Sequence, residues 1–437
     1  MMSGKRVCQL LAIGVVLGPM PAVAQSPTLT QQLSNLLVQR IVLAKTQAGV
    51  GIVAHDPIFQ NDPTVLNVTS LTDAMGRQVG SQVSTFPLGS SSGGFTYAFD
   101  PALGTFSRST ETFGPAFAER AVTLGKGKSS FGMNYVHASY KAIDGLSLSD
   151  GSVKFDLLHQ PLANGSYVSG DVIQAALDLK VSNDTTSFAV NYGATQKLDI
   201  GVAIPIVKVG MDLTYNGTIL DFSTHASSPT THVFSNGLKT QRFNSTGSAS
   251  GVGDIVVLAK YNVMQQGSSG LAVAVNLTLP TGDADNMLGT GATLAKVSLI
   301  GSGSGRLAPH ANVGFTAASG GTGVSNQLNY VGGAEYAVSP KMTLVADLVG
   351  RTLTSTTRFS PISVPHQFKQ SDTAAVETTQ LSTITSETGS LSTALGAVGV
   401  KLNPTGRLLI SAHVLMPFTN GGLRSRPAPV LGFEYAF

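Results

Sequence analysis

Cysteine is almost missing from this 437-residue chain, and tryptophan is missing altogether. The one thiol, Cys8, lies inside an N-terminal apolar stretch that reads as an export signal. Past that stretch there is nothing to build a disulfide framework, a zinc–thiolate site or a thiol nucleophile. Charge is scarce too, at 12% Asp, Glu, Lys and Arg, about half the usual share. Setting aside Lys5 and Arg6 of the signal from the 27 basic residues leaves 25 against 24 acidic ones. A near-neutral, charge-poor chain is not an electrostatic nucleic-acid binder. Beyond the signal no apolar run reaches the roughly 18 residues that a membrane-spanning helix needs.

The signal is expected over residues 1–24. Lys5 and Arg6 form its basic start, Val7 to Met20 its apolar middle, and Ala22-Val23-Ala24 a small-residue cleavage site before Gln25. What the rest of the chain does contain is glycine, 49 residues of it, and a mildly positive mean hydropathy of +0.19. An exported, mildly apolar chain with no spanning helix fits a transmembrane β-barrel. The strands of such a barrel alternate apolar-out and polar-in, so they never form a long apolar run.

The alternation is explicit. Leu271, Val273, Val275, Leu277 and Leu279 fall on one face of a strand, and Ala272, Ala274, Asn276 and Thr278 on the other. Ile255, Val257, Ala259, Tyr261 and Val263 oppose Asp254, Lys260 and Asn262. Met342, Leu344, Ala346 and Leu348 oppose Thr343, Asp347 and Arg351. The spacing supports an all-β, antiparallel barrel of about 14 strands from Ser129 to Phe437, with 12 as the alternative count. Short turns at 266–269, 301–305, 339–340 and 403–406 alternate with longer loops at 221–250, 283–289 and 355–391. Phe433, Tyr435 and Phe437, spaced by two at the C-terminus, form the kind of signal that the barrel assembly machinery reads.

Several motifs fail on inspection. Gly127-Lys128-Ser129 ends like a phosphate-binding loop, but the first glycine of that motif would stand at Val122. The residues that follow alternate like a strand rather than opening a helix. The stretch is therefore a basic turn leading into the first barrel strand. Asp283-Ala-Asp285-Asn286 starts like a calcium loop, yet Leu288 and Leu294 occupy the positions that need Gly and Glu. It reads as a polar turn. No catalytic, cofactor-binding or metal-binding residue is assigned, and no enzyme activity is expected.

Residues 25–112 form an N-terminal segment before the barrel of residues 113–437. A helix is expected over residues 28–45, with Thr28 and Gln31 as a capping box and Leu29, Leu33, Leu36, Leu37 and Ile41 at helical spacing. A Gly-, Pro- and Ser-rich passage to about Gly94 and a hairpin over residues 95–107 follow. The segment is too long for a simple tail. It folds either as a plug inside the barrel or as a piece beneath it in the periplasm.

In sequence the chain resembles a family of outer-membrane barrels named for the meta-pathway of phenol degradation, distant relatives of the long-chain fatty-acid outer-membrane transporters. The resemblance rests on Phe113-Gly-Pro-Ala-Phe-Ala-Glu-Arg120, on residues 191–205, on Gly253 to Tyr261, on Leu279-Pro-Thr-Gly-Asp283 with Leu288-Gly-Thr-Gly291, and on Pro309 to Gly314. It implies a bacterial outer-membrane location and passage of small hydrophobic or aromatic compounds, with no cofactor. It transfers no substrate residue. The Asn-Pro-Ala of the fatty-acid transporters is absent near Gln25, which argues against long-chain fatty acids.

Alternation alone points Asp199, Asp254, Lys260, Glu335, Asp347, Arg351, Lys401 and Glu434 into the lumen. A Lys or Arg facing lipid at mid-depth would cost about 2–4 kcal/mol. These residues either line a route or form a static ladder of ion pairs. The expected partners are outer-membrane lipid and lipopolysaccharide, the barrel assembly machinery and a small hydrophobic substrate, not nucleic acid. The leading reading is a passive channel. A closed structural or surface-interaction barrel is the alternative, and a barrel-embedded lipid hydrolase would need a Ser–His pair at the outer rim.

Overall fold

The computed structural model describes residues 27–39, 43–47, 51–54, 68–87, 89–90, 94, 97–100, 105–108, 110–158, 170–222, 232–267, 269–321, 323–371 and 373–437. The expected signal, residues 1–24, lies outside them. Among the described residues no helix is long and apolar enough to cross a membrane.

Twelve strands make the wall: β1 (Ser129–Ile143), β2 (Val172–Gly193), β3 (Leu198–Leu220), β4 (Ile255–Gln266), β5 (Ser269–Leu279), β6 (Ala292–Ser302), β7 (Leu307–Gly320), β8 (Gln327–Ser339), β9 (Met342–Lys369), β10 (Val376–Leu402), β11 (Leu408–Pro417) and β12 (Ala428–Ala436). Each pairs antiparallel with the next. β12 returns to β1, with Val430 opposite Val136 and Ala436 opposite Ser130, so the sheet closes. Closure removes the free edge that no strand can carry in hydrocarbon. Twelve is the lower of the two counts open from sequence.

The shortfall against fourteen has a physical cause: several strands run far past the 9–11 residues that a crossing needs. β9 and β10 have 28 and 27 residues and stay paired up to Lys369 opposite Val376. The loop expected over 355–391 is therefore mostly strand with a short tip. Likewise the loop expected over 221–250 contains a strand, Thr240–Val252, paired along β3 from Thr218 to Ile206. A further strand, Val153–Leu158, pairs with the far end of β2. The barrel thus continues beyond its short-turn half into an outer extension.

Outward faces fix where the membrane sits. Phe188, Val190 and Tyr192 of β2, Ile200 to Ile206 of β3, and Leu271 to Leu277 of β5 expose large apolar side chains. Tyr192, Tyr261 and Tyr336 stand exposed toward the short-turn rim, a girdle expected at a membrane interface. Arg306 lies 5.0 Å over the Tyr336 ring. Leu431, Phe433 and Phe437 of the C-terminal segment face outward, and the Phe437 amide closes onto Ser129 at 2.9 Å. Lys126 and Gly127 form an exposed turn, Gly127 and Lys128 bond to Gly193, and β1 starts at Ser129.

Two helices fill the outer extension, α1 (Leu29–Gln39) and α2 (Val68–Ser84). The helix expected over 28–45 is shorter: Leu43–Gln47 is a strand between Gly51–Ala54 and His232–Phe234. β-branched Thr46 favours that outcome. Of the capping box, Thr28 N–H donates to Gln31 Oε1 at 3.3 Å. α2 was not expected, because Gly76, Gly80 and its Ser and Thr residues depress helix propensity. Gly76 is needed where the helices cross: a Cβ there would sit 2.7 Å from the Thr30 carbonyl oxygen. Leu29, Leu33 and Leu36 of α1 and Met75, Val79 and Val83 of α2 pack with Leu177, Leu179, Met211, Leu213 and Tyr215. The expected hairpin is present as Tyr97–Asp100 paired with Thr105–Arg108.

Candidate functional site

The barrel does not begin at residue 113. Residues 112–124 run through the lumen, and the wall starts only at Ser129. This strap is held by its backbone, and the side chains that hold it come from around the wall. Glu335 on β8 accepts the Gly114 N–H at 3.0 Å and pairs with Arg120. Gly114 is left-handed, φ 85°, which turns its amide toward that carboxylate. Asp347 on β9 accepts the Ala116 and Phe117 amides through Oδ2 at 2.9 and 2.8 Å. Its Oδ1 meets His310 Nε2 of β7 at 2.7 Å. Lys401 on β10 donates to the Pro115 carbonyl at 2.7 Å, and Thr343 accepts the Phe113 amide at 3.2 Å.

The second half of the strap is gripped in the same way. Lys260 on β4 donates to the Val122 carbonyl at 3.0 Å and lies 3.4 Å from Asp199 on β3. Asp199 accepts the Leu124 amide with both oxygens at 3.1 Å. Asn262 donates to the Ala121 carbonyl at 2.8 Å. Glu434 on β12 accepts the Gly94 amide at 2.8 Å, just upstream. A hydrogen bond to a charged group contributes about 1.5–3 kcal/mol, and more in a site this dry.

All eight sequence candidates turn inward, but they do not form one cluster. Five of them (Asp199, Lys260, Glu335, Asp347 and Lys401) hold the strap, and Glu434 holds Gly94 upstream of it. Arg351 holds the end of α2, donating from Nη1 to Thr85 Oγ1 at 2.6 Å and to its carbonyl at 3.2 Å. Asp254 holds a loop of the wall itself, accepting Gly282 N–H at 3.0 Å and both Thr290 donors at 2.7 Å. Most of these charges spend themselves on backbone groups rather than on one another. Arg120, His310 and Asn262 belong to the same grip but were not singled out from sequence. Asn262 already stood on the polar face of its strand, and His310 could have been found from the inward parity of its own.

Above the strap lies a chamber of about 400 Å³. The end of α2, Gln82 to Pro87, roofs it, and Phe117 and Glu119 of the strap floor it. Its walls mix Val207, Leu288, Leu294 and Leu395 with Asn276, Thr316, Gln327 and Asn329. A second cavity of about 40 Å³, room for a water or two, lies between the strap and β1, β2, β11 and β12. Among the described residues no group of His, Cys, Asp and Glu is arranged to hold a metal. At the outer rim His137 and Tyr135 both engage Asp184, at 2.8 and 2.6 Å, and His232 engages Asp171 at 2.6 Å.

A family model described as "Putative MetA-pathway of phenol degradation" matches residues 161–376. The family resemblance drawn from the sequence motifs is thereby borne out. Among solved structures, the chain is similar to an outer membrane channel from Pseudomonas putida F1, at 14% identity and TM-score 0.41, over 72% of this chain and 98% of that one. It is similar to a FadL homologue from Pseudomonas aeruginosa at 12% identity and TM-score 0.32, over 79% and 96%. It is also similar to the toluene transporter TbuX of Ralstonia pickettii at 13% identity and TM-score 0.27, over 76% and 96%. No curated protein matches the chain.

Proposed function

We propose that this protein is an outer-membrane channel that passes small hydrophobic or aromatic compounds without catalysis. The observation that carries the reading is the chamber. It lies in the lumen of a closed membrane barrel, between a helix end and a strap, and its volume suits a small molecule. The family model agrees with it. A substrate entering through the outer extension reaches the chamber past α2. Displacement of the strap then opens the way to the short-turn side, where lipid-facing Phe433, Tyr435 and Phe437 mark the end read by the assembly machinery. Lipid and lipopolysaccharide surround the wall.

The strap also supports a second reading, a closed barrel whose outer extension contacts other surfaces, because Thr112 to Leu124 is bonded across the lumen. Liposome flux separates the two. Folded protein and a Glu335→Gln/Asp347→Asn variant are reconstituted, and entry of a small aromatic and of a sugar is followed. Aromatic flux that rises in the variant supports the channel. No flux in either form, with both folded, overturns it in favour of the closed barrel.

A further inference from the structure

The chamber carries more positive charge than its surroundings neutralise. Lys296 of β6, Arg351 of β9 and Arg424, just before β12, line it, and Glu119 and Asp254 are its carboxylates. Asp254 is already occupied by three donors from Gly282 and Thr290. Glu119 acts on Lys296 only at a distance, and among the described residues no ion pair joins Lys296, Arg351 or Arg424 to any carboxylate. Arg351 donates from Nη1 to both the carbonyl and the hydroxyl of Thr85. Arg424 is not: its Nε is buried without a partner.

Two further polar groups are orphaned at the same corner. Gln82 Oε1 accepts the Leu423 amide at 2.7 Å, which fixes the end of α2 beside Arg424 and leaves Gln82 Nε2 with no acceptor. Ser425 Oγ is buried without a partner as well. A buried guanidinium Nε–H without an acceptor, beside two unpartnered groups, is costly in a folded protein unless an acceptor arrives. Phe86 and Phe117 line the same chamber with aromatic surface.

We propose that the chamber is a binding site for small organic anions, an aromatic-sized apolar body bearing one carboxylate. This rests on the channel reading and names its preferred cargo. The carboxylate docks at Arg424 and supplies the acceptors that Arg424, Gln82 and Ser425 lack. Lys296 adds a second positive charge from the β6 wall, and the ring lies toward Phe86 and Phe117. A planar guanidinium facing a carboxylate makes the strongest hydrogen-bonded pair available to the chain.

The test compares benzoate with benzyl alcohol, its neutral counterpart, by ligand-observed NMR on the folded, detergent-solubilised protein. The full chain should bind benzoate more tightly by about tenfold, roughly the worth of one good charge-assisted contact. Arg424→Gln should bring the two ligands near parity, and Lys296→Met should cut the preference about threefold. Folding is checked by heat-shifted gel migration. If Arg424→Gln does not fold, Ser425→Ala substitutes for it and should also weaken benzoate selectively. Equal binding of the two ligands to the full chain, or a preference that survives loss of Arg424, overturns the proposal and leaves the channel reading standing. Absence of both binding and flux for either ligand overturns the channel reading itself.

Discussion

Within β3, two consecutive stretches of one strand are built to opposite rules. From Asp199 to Ile206 the outward residues are Ile200, Val202, Ile204 and Ile206, and the lumen side carries Asp199, Gly201, Ala203 and Pro205. From Val207 onward the apolar set switches faces. Val207, Val209, Met211, Leu213 and Tyr215 point inward, and Lys208, Asp212 and Asn216 point out. β2 makes the same switch opposite it. Phe188, Val190 and Tyr192 face out below Thr186, and Leu177, Leu179 and Val181 face in above it. The backbone register runs through unbroken, with Thr186 opposite Ile206. The alternation changes phase because the solvent changes: hydrocarbon outside the lower half, water outside the extension. Burial drives both halves, and only the location of the apolar phase differs.

The sharpest way to break this contrast is to put charge on the apolar face of each half. Leu213→Asp places an unpaired carboxylate in the core shared with α1 and α2. It should cost about 4–5 kcal/mol, among the largest effects of any point change. Ile204→Arg, only nine positions away, faces lipid and should cost about 2–4 kcal/mol. The neighbouring Asp212→Leu should stay within about 0.5 kcal/mol, since Asp212 faces water. Urea midpoints for refolding into lipid vesicles would rank the three. A small penalty for Leu213→Asp, or a large one for Asp212→Leu, would contradict the placement of the membrane boundary.

The lower half differs from the extension in a second respect, for its interior is held largely by charge, with only small apolar clusters around Phe113 and Ala121 of the strap. Asp347→Ala removes the acceptor of two strap amides and the partner of His310. It should weaken strap docking by about 2–3 kcal/mol with little change in wall stability. In a planar bilayer the variant should show conductance bursts that the parent protein lacks. Leu33→Ala, in the apolar core of the extension, should act the other way round. It should destabilise the fold by about 2–5 kcal/mol and leave the strap closed. If Asp347→Ala remained as closed as the parent, the strap would have to be held by something other than these carboxylates.

Much of this arrangement was legible in the sequence. Period-two alternation identified the barrel, and its parity marked the inward carboxylates and lysines, because a strand leaves each side chain only two directions. What alternation cannot give is the object that an inward charge meets. Glu335, Asp347 and Lys401 bind backbone groups of residues 113–117, which are contacts more than 200 positions apart in sequence with no periodic trace. α2 was hidden because its glycines, needed where α1 crosses, lower the very propensity by which helices are read. The long reach of β9 and β10 was hidden by composition. Their outer halves are rich in Ser and Thr and have no lipid to face, so they read as loop. The phase change in β3 was present in the letters but requires reading both faces of one strand at once.

The mildest prediction concerns the extension alone. Asp156, on the strand Val153–Leu158, is buried between β2 and the outer part of β10. Its Oδ1 accepts from Gln174 at 3.0 Å, and its Oδ2 has no partner. Burial raises its pKa to about 6 from the ordinary 3.8, an effect that the Gln174 bond and nearby Lys154 only partly offset. The folded protein therefore holds this proton more tightly than the unfolded chain does. Above pH 6 folding must carry a buried charge, and the penalty is present in full. As pH falls from about 6 toward 3.8 the penalty fades. Asp156→Asn removes the charge and keeps an acceptor for Gln174. It should stabilise the protein by about 1 kcal/mol at pH 8, a rise of a few degrees at most in Tm, and have almost no effect at pH 4. A gain of the same size at both pH values would mean that the carboxylate is never charged in the fold. A loss at pH 8 would mean that Oδ2 has a partner that the amide cannot replace. Lys208→Ala, on the wet outward face of β3, should show no such pH dependence. The contrast between the two variants then reports the dryness of the extension's interior.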